Sequence, residues 1–241
     1  MGNFFHTILY VPLYNLLVFL VGVVPGGDFG LAIIVATIVV RLILWPLSMS
    51  AARSQKAMKA MEPEMKEVRE KYKDQPETQM KEMMALYKRY NVHPAASLLT
   101  VFIQLPIIIG LYWVFRTKTL PQVDPTLLYP FIHAPAFVSV AFLGTVSILG
   151  HHIILAILAG LAQLFQAWYA IPVPPASAEV GSNDMARAMA LQMRFVLPVV
   201  IAIAAYASGA IALYLITSSL IAVFQEFIVR RGKAAVPAPA V

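Results

Sequence analysis

An arginine interrupts a long apolar run of the sequence, at a place where a charged side chain is costly. The run extends from Phe29 to Leu47, and Arg41 lies in its stretch TIVVRLILWPL, residues 37–47. A guanidinium stays charged at every accessible pH. At the centre of a bilayer it costs about 2.5–3.5 kcal/mol on insertion scales. We expect Arg41 to face a water-filled cavity, with snorkelling of its side chain to the interface as the alternative.

Other polar side chains recur in four of the predicted spans, at mid-depth or toward one end. Thr37 lies four residues before Arg41 and therefore shares its helix face. The opposite halves of these spans are almost purely hydrocarbon, as in GLAIIVA and PIIIGLYWV. A pore would need polar lining at both ends, so the pattern predicts a hydrophilic groove open to one side. The residues that we expect to line it are Arg41, Thr37, Gln104, Gln163, Gln166, Tyr214 and Ser218.

The expected partner of Arg41 is an anionic group of a visiting chain. No Asp or Glu lies near Arg41 in the predicted spans, and Glu226 stands at the end of the last one. A small-anion transporter or channel that uses Arg41 is one alternative, although the sequence shows no internal repeat of the kind found in many transporters. A docking scaffold that acts through its charged segment is another.

The composition identifies the class of protein in which these residues must be placed. The chain has 241 residues, of which 60% are hydrophobic and 12% are charged, against about 25% charged in average globular proteins. Several apolar stretches near 20 residues predict an all-α integral membrane protein. The five predicted transmembrane helices cover residues 29–50, 94–115, 149–171, 187–207 and 208–229.

The remaining segments complete the predicted organisation. Residues 1–28 form an interfacial helix and a turn, with a sixth span over residues 4–24 as the alternative, and Pro12 breaks their apolar pattern. Residues 51–93 form a helical hairpin, 116–148 a loop on the opposite side, 172–186 a second loop, and 230–241 a basic tail. Most of the 18 Lys and Arg residues fall in the hairpin, at the start of the fourth span and in the tail. This bias places those three segments in the cytoplasm.

The charged segment 51–93 carries an unusual share of the methionines. Pro63 is expected to end one helix and to open the next, and Asp74 with Glu77 predicts the start of a further helix. Apolar spacing of three and four residues predicts two amphipathic helices. Their methionines either form the seam of the hairpin or present a pliable surface to varied apolar sequences. The residues concerned are Met58, Met61, Met65, Met80, Met83 and Met84.

The sequence predicts no enzymatic chemistry, cofactor or metal site. It contains no Cys, which excludes disulfides and thiolate catalysis, and no G-x-x-x-x-G-K-[ST] phosphate loop. The adjacent pair His151 and His152 could suggest a metal, but neighbouring residues of a helix point apart. We therefore expect both histidines to be structural.

Several stretches together resemble the YidC membrane insertases and their mitochondrial and chloroplast relatives. They are FGLAIIVATIVVRLILWPL, the charged EPEMKEVREKYK, MKEMMALYKRYNVHPAASLLTVFIQLPIIIGLYWVF, and the final SGAIALYLITSSLIAVFQEFIVRR. The resemblance covers residues 4–232 in order and spacing. It implies five spans around a hydrophilic groove open to cytosol and lipid, with Arg41 as the groove arginine and with Thr37 and Tyr214 lining or contacting the groove.

The resemblance also implies the partners and the location. Proteins of this family take nascent membrane proteins, act without nucleotide hydrolysis, and work alone or beside the Sec translocon with ribosomes or the signal recognition pathway. Substrate helices would leave sideways into the membrane lipids, and no direct nucleic-acid readout is expected. The short basic tail, with Arg230, Arg231 and Lys233, departs from long-tailed members and makes strong ribosome docking by the tail doubtful. No transit peptide is recognisable, so a bacterial inner membrane is expected.

Overall fold

The computed structural model describes residues 6–90, 107–114, 122–170 and 182–231. The chain divides into two compact units. The first comprises Met1–Ile43 and Gln104–Val223, and the second comprises Leu44–Ile103 and Phe224–Val241. The predicted residue Gln104 and most of the predicted span 94–115 lie outside the described residues.

The first unit begins with two helices that pack against each other. A π-helical turn, His6–Tyr10, leads into α1, Val11–Val23, and a 3-10 turn, Pro25–Gly27, leads into α2, Phe29–Ile43. The chain stays helical on both sides of Pro12, which was expected to break it. Pro12 falls in the first turn of α1, where a helix has no use for the missing N–H.

The predicted single span 29–50 is divided in the structure. Helix α2 ends at Ile43, Leu44 leaves the helical conformation with φ −85° and ψ 1°, and α3 begins at Trp45 and runs to Lys71. Pro46 lies in the first turn of α3. The proline ring lacks an N–H and collides with the carbonyl four residues earlier in an unbroken helix, so the prediction of one continuous helix is wrong at this point.

Helix α3 is longer than the sequence suggested. Pro63, expected to end one helix and open the next, stands inside α3. An internal proline costs about 3 kcal/mol relative to alanine. The residues on either side, such as those of KAMKAM and EMKEVREK, are good helix formers, and Met61 beside the proline is fully buried. The helix propensity of the flanking residues and the burial of Met61 favour a continuous helix and oppose the cost of the proline.

The remaining helices of the first unit follow a largely irregular connection. After the helical segment α5 at residues 107–114, the described chain resumes in the connection, defined here as residues 122–152. The later helices are α6, Ile153–Ala170; α7, Ser182–Leu191; a π-helical turn, Gln192–Val196; α8, Leu197–Tyr206; and α9, Gly209–Arg231. Small residues let α6 and α8 approach closely, since a Cβ added to Gly160 would lie 2.9 Å from the Cβ of Ala202.

Helices that could cross a membrane are numerous in the described part of the chain. By length and hydropathy they are His6–Val23, Ile153–Ala170, Arg187–Tyr206 and Gly209–Arg231, and α2 with α3 gives a fifth if the pair is one broken span. The predicted class, an all-α integral membrane protein, is confirmed. The interfacial position of residues 4–24 stays a prediction, because His6–Val23 also has the length of a span.

The connection contains two short strands that the sequence did not predict. Strands β1, Ala141–Phe142, and β2, Val146–Ser147, pair antiparallel around the loop 143–145. Earlier in the connection a 3-10 turn, Pro125–Leu127, is capped by the Asp124 carboxylate, which accepts hydrogen bonds from the backbone N–H and the hydroxyl of Thr126. Both hydrogen bonds lower the pKa of Asp124, and the bond from the Thr126 hydroxyl has the larger effect.

Two buried polar residues of α1 hold the connection in place. Asn15, 1% exposed, donates from Nδ2 to the carbonyls of Val11 and Leu127 at 2.8 Å each. Its Oδ1 accepts the backbone N–H of Tyr129 at 2.7 Å. The hydroxyl of Tyr14 accepts the backbone N–H of Asp124 at 2.8 Å. Buried amides are stable only when their hydrogen bonds are made, so these contacts fix the position of the loop against α1.

Asp28 makes the corresponding attachment at the start of α2. Its Oδ1 accepts the backbone N–H of Leu31 at 3.0 Å, as a helix N-cap does. Its Oδ2 accepts the backbone N–H of Leu143 at 2.6 Å. The backbone N–H of Ser139 donates to the carbonyl of Gly27, and the carbonyl of Ser139 accepts the N–H of Phe29. One carboxylate therefore joins the strand loop to α2.

The backbone at Gly27 lies close to that of Phe137, whereas the neighbouring Gly26 has open space around it. Both have positive φ, 59° and 67°, but a Cβ would lie 2.5 Å from the Phe137 carbonyl oxygen at Gly27 and in open space at Gly26. We expect Gly26→Ala to lower the free energy of unfolding by about 1–2 kcal/mol, the cost of a left-handed residue. Gly27→Ala should lower it further, because the chain must also move. Thermal unfolding in detergent measures both, and equal losses would contradict the contact.

The second unit consists of α3, α4 (Pro76–Arg89) and the end of α9. Helices α3 and α4 are joined by a short turn and meet at the Glu64 carboxylate, which contacts Arg89 and accepts a hydrogen bond from the Tyr90 hydroxyl. Lys56 donates from Nζ to the carbonyls of Val229 and Arg230, at 2.9 and 3.2 Å. A lysine at this place satisfies carbonyls that the end of a helix leaves open.

Candidate functional site: a cleft at Arg41

Arg41 meets a serine of the last helix inside the first unit. Its Nε donates to the Oγ of Ser218 at 3.1 Å, and its Nη2 contacts the same oxygen. Ser218 is 2% exposed, whereas Arg41 is half-buried. A hydrogen bond from a charged donor is stronger than one between neutral groups. Ser218 therefore orients the guanidinium.

Arg41 also lines a narrow cleft with mostly apolar walls. The enclosed space has room for about one water molecule. Polar atoms come from Thr37, Arg41 and Tyr214, and the Thr37 hydroxyl donates to the carbonyl of Ile33 at 2.7 Å. Apolar walls reduce the local screening of the Arg41 charge. The residues that line the cleft are Leu13, Ile33, Ala36, Thr37, Val40, Arg41, Ile107, Leu111 and Tyr214.

The structure brings together some of the residues predicted from the sequence. Thr37, Arg41 and Tyr214 line the cleft, and Ser218 adjoins it through Arg41. Gln104 lies outside the described residues.

The two glutamines of α6 do not join this group. Gln163 accepts at Oε1 a hydrogen bond from the Ser219 hydroxyl, at 3.0 Å. Ser219 follows Ser218 directly and so points about 100° further round the helix. Gln166, half-buried on α6, does not line the cleft either. The geometry therefore does not place these glutamines in the Arg41 cleft, and Gln163 contacts α9 on a side different from that of Ser218.

Apolar residues that the sequence reasoning missed form the far wall of the cleft. Leu13 belongs to α1, and Ile107 and Leu111 belong to α5. A search for polar side chains cannot find such a wall. The available signal is the apolar run of α1 itself, which the sequence analysis predicts at the membrane interface and not around Arg41.

The methionines of α3 and α4 divide into two groups. Met61 is fully buried, and Met58, Met65 and Met83 are half-buried. Met80 and Met84, on α4, are 70% and 54% exposed. The seam interpretation thus suits Met61, whereas the interpretation as an accessible, adaptable surface suits Met80 and Met84.

Truncation of these methionines should separate the two groups. Met61→Ala removes a fully buried side chain and should lower the free energy of unfolding by about 2–5 kcal/mol. Met80→Ala, on the exposed face, should change it by less than about 0.5 kcal/mol. Chemical unfolding of the two variants in the same detergent measures the difference. If the Met61→Ala variant were as stable as the Met80→Ala variant, the Met61 side chain would not belong to the core.

No metal site is formed within residues 6–90, 107–114, 122–170 and 182–231, where no three His, Cys, Asp or Glu side chains come together. The imidazole of His151 stacks on the Tyr206 ring, with centroids 5.0 Å apart, and its Nδ1 is 3.0 Å from the Tyr206 carbonyl oxygen. This histidine joins the end of the connection, just before α6, to the end of α8.

Comparison with known proteins adds the relatives of the chain. The model of the family described as 60Kd inner membrane protein matches residues 20–235. A protein of Clostridium tetani named membrane protein insertase YidC is 28% identical over 207 residues, which cover 86% of this chain and 84% of the relative. Proteins of the same name from Francisella tularensis subspecies novicida and tularensis are each 32% identical over 207 residues, covering 85% of this chain.

The match covers the relatives unequally. The chain spans 33% of the length of the Francisella proteins, so their whole activity does not pass to it by similarity alone. The family model, however, covers nearly the whole chain, including the helices that carry Arg41 and Ser218. The resemblance noted from the sequence is confirmed, and this multi-pass membrane protein belongs to the 60Kd inner membrane protein family, which includes the YidC insertases.

Proposed function

We propose that the chain is a membrane protein insertase. It takes nascent or newly made membrane proteins into a hydrophilic groove open to the cytosol and releases their apolar helices sideways into the bilayer. The names of the relatives support this activity. The observation that carries the proposal is the oriented guanidinium of Arg41 in an apolar-walled cleft between transmembrane helices.

The chemistry of this cleft suits a short polar tail of a substrate. Such a tail must cross a hydrocarbon core about 30 Å thick. A cation held part-way along that path lowers the cost for acidic groups, since charges attract more strongly where water is scarce. Burial of the following apolar helix in lipid, worth about 25 cal/mol per Å², then favours release. This process needs no nucleotide hydrolysis, no cofactor and no enzymatic step.

The charge distribution supports an orientation for the proposed insertase. Lys and Arg side chains are concentrated in residues 51–93 and at 230–233, and positive segments remain on the cytoplasmic side of bacterial inner membranes. Helices α3 and α4 would then meet substrates first, with Met80 and Met84 as adaptable apolar contacts. Ribosomes, the Sec translocon or the signal recognition pathway are the partners that would deliver these substrates.

Reconstitution tests the proposed activity directly. Purified protein in sealed liposomes receives a single-span substrate with a short acidic N-terminal tail, without ATP or GTP, and protease protection of the tail is scored. We expect protection well above that in empty liposomes. The same vesicles are loaded with small anions to measure flux. Flux without insertion would support a transporter instead, and the loss of both, with folded protein, would support a docking scaffold.

A further inference from the structure

The connection between α5 and α6 presents exposed apolar side chains from a stretch that has no charged residue of its own. Residues 125–150 contain no Lys, Arg, Asp or Glu. Within them Phe131 is 74% exposed, Phe137 68% and Leu143 62%. A loop in water normally carries polar and charged residues, and exposed apolar surface that is not scattered singly marks an interaction site.

These side chains project from a backbone that is held in place. Asn15 binds the connection at Leu127 and Tyr129, close to Phe131 in sequence. Gly27 pairs through its carbonyl with Ser139, near Phe137. Asp28 binds the N–H of Leu143. The exposed apolar groups are therefore presented by a fixed surface and do not belong to a segment that could fold them inward.

Leu143 adds a conformational argument. Among the non-glycine residues that the structure describes, Leu143 is the one with a positive φ, at 50°. It lies at the tip of the β1–β2 loop beside Gly144. Tight hairpin loops use positive φ, and a leucine adopts this conformation only at a conformational cost. Burial inside the protein does not offset the strain, since the Leu143 side chain is mostly exposed.

The surface next to the connection identifies what would cover it. Helix α6 begins directly after the connection, and its Ile153, Ile154 and Ile157 are 60%, 62% and 53% exposed. In a membrane-spanning helix such residues face lipid. The apolar surface of the connection thus continues, along the chain, the lipid-facing surface of α6. Aromatic residues favour this boundary between headgroups and acyl chains.

We propose that the connection is a membrane-inserted element whose Phe131, Phe137 and Leu143 enter the adjacent bilayer leaflet. The partner is the acyl region of the lipids. The attachments at Asn15 and Asp28 join this element to α1 and to the start of α2.

The absence of cysteine in the sequence makes the test direct. Single variants Phe131→Cys, Phe137→Cys and Leu143→Cys are labelled with the fluorophore NBD and placed in liposomes of phosphatidylethanolamine and phosphatidylglycerol. Met80→Cys serves as the matched control, because Met80 is equally exposed and apolar but lies on a charged helix. Quenching is measured with nitroxide on the lipid acyl chains and with iodide on both sides of the membrane.

We expect labels at the three positions to show blue-shifted emission, strong quenching by the acyl nitroxide and loss of iodide quenching relative to position 80. Iodide quenching equal to that at position 80 would overturn the proposal. Protection from both quenchers would also overturn it and would indicate burial against another protein copy. Circular dichroism and thermal unfolding of each variant verify that it is folded. No substrate is present, so the result is independent of the insertase activity.

Discussion

Arg41→Ala should lower the insertion of a substrate with an acidic N-terminal tail by at least about tenfold, equivalent to roughly 1.4 kcal/mol. A neutral tail of the same length should lose much less. Two opposite charges about 4 Å apart attract by about 4 kcal/mol at an effective dielectric constant of 20, and residual water in an open cleft reduces that figure. The apolar walls around Arg41 are the reason to expect an effect larger than that of a surface charge.

Arg41→Lys is the control that keeps the positive charge but loses the shape of the guanidinium. A lysine keeps the positive charge but cannot reproduce the planar fork by which two nitrogens of Arg41 reach the Ser218 oxygen. We expect insertion between the wild-type and Arg41→Ala levels. Protease protection of acidic and neutral tails in liposomes measures all three proteins. Equal losses for the two tails in Arg41→Ala would show that the residue acts through the structure and not through its charge.

Asn15→Ala should be the most damaging polar substitution outside the cleft, lowering the free energy of unfolding by about 3 kcal/mol. The change leaves the N–H of Tyr129 and the carbonyl of Leu127, both in half-buried residues, without their partner, and an unsatisfied buried group costs about 1–3 kcal/mol. Thermal unfolding in detergent measures the loss. Faster hydrogen exchange at the Tyr129 amide would locate it in the connection.

Tyr14→Phe is the matched comparison on the neighbouring residue of α1. It keeps the ring and removes a single hydrogen bond, the one accepted from the Asp124 N–H. The expected loss is about 1 kcal/mol. If Asn15→Ala lowered the free energy of unfolding no more than Tyr14→Phe does, the two hydrogen bonds of the Asn15 amide to the connection would not stabilise the protein.

The proximity of Thr37, Arg41, Tyr214 and Ser218 was predictable because these polar residues follow helix periodicity. Thr37 and Arg41 are one turn apart, as are Tyr214 and Ser218, and each pair stands out against an apolar background. Hydropathy and length were enough to identify the long helices. Arg41 pairs with Ser218 and not with Thr217 or Ser219 because of the rotation of α9 about its axis. The sequence pattern does not determine that rotation to within one residue.

The parts that escaped prediction depend on competition between local and distant interactions. The sequence contained the signal for the break before Trp45, since Pro46 cannot continue a helix, but the apolar run masked it. Pro63 carried the same signal and yet remains inside α3, where flanking residues favour the helix. The strand pair at 141–147 depends on Asp28, more than a hundred residues away, and no local pattern reveals such a contact.

The hydroxyl of Thr37 has a consequence for what the cleft can hold. Its proton is committed to the carbonyl of Ile33, so toward the cleft its oxygen acts as an acceptor. Arg41 has only donors. A peptide group carries one N–H and one C=O, so the two residues together offer a counterpart for each. We therefore expect these two residues to favour main-chain groups of a substrate as well as the acidic side chains that a single cation would select.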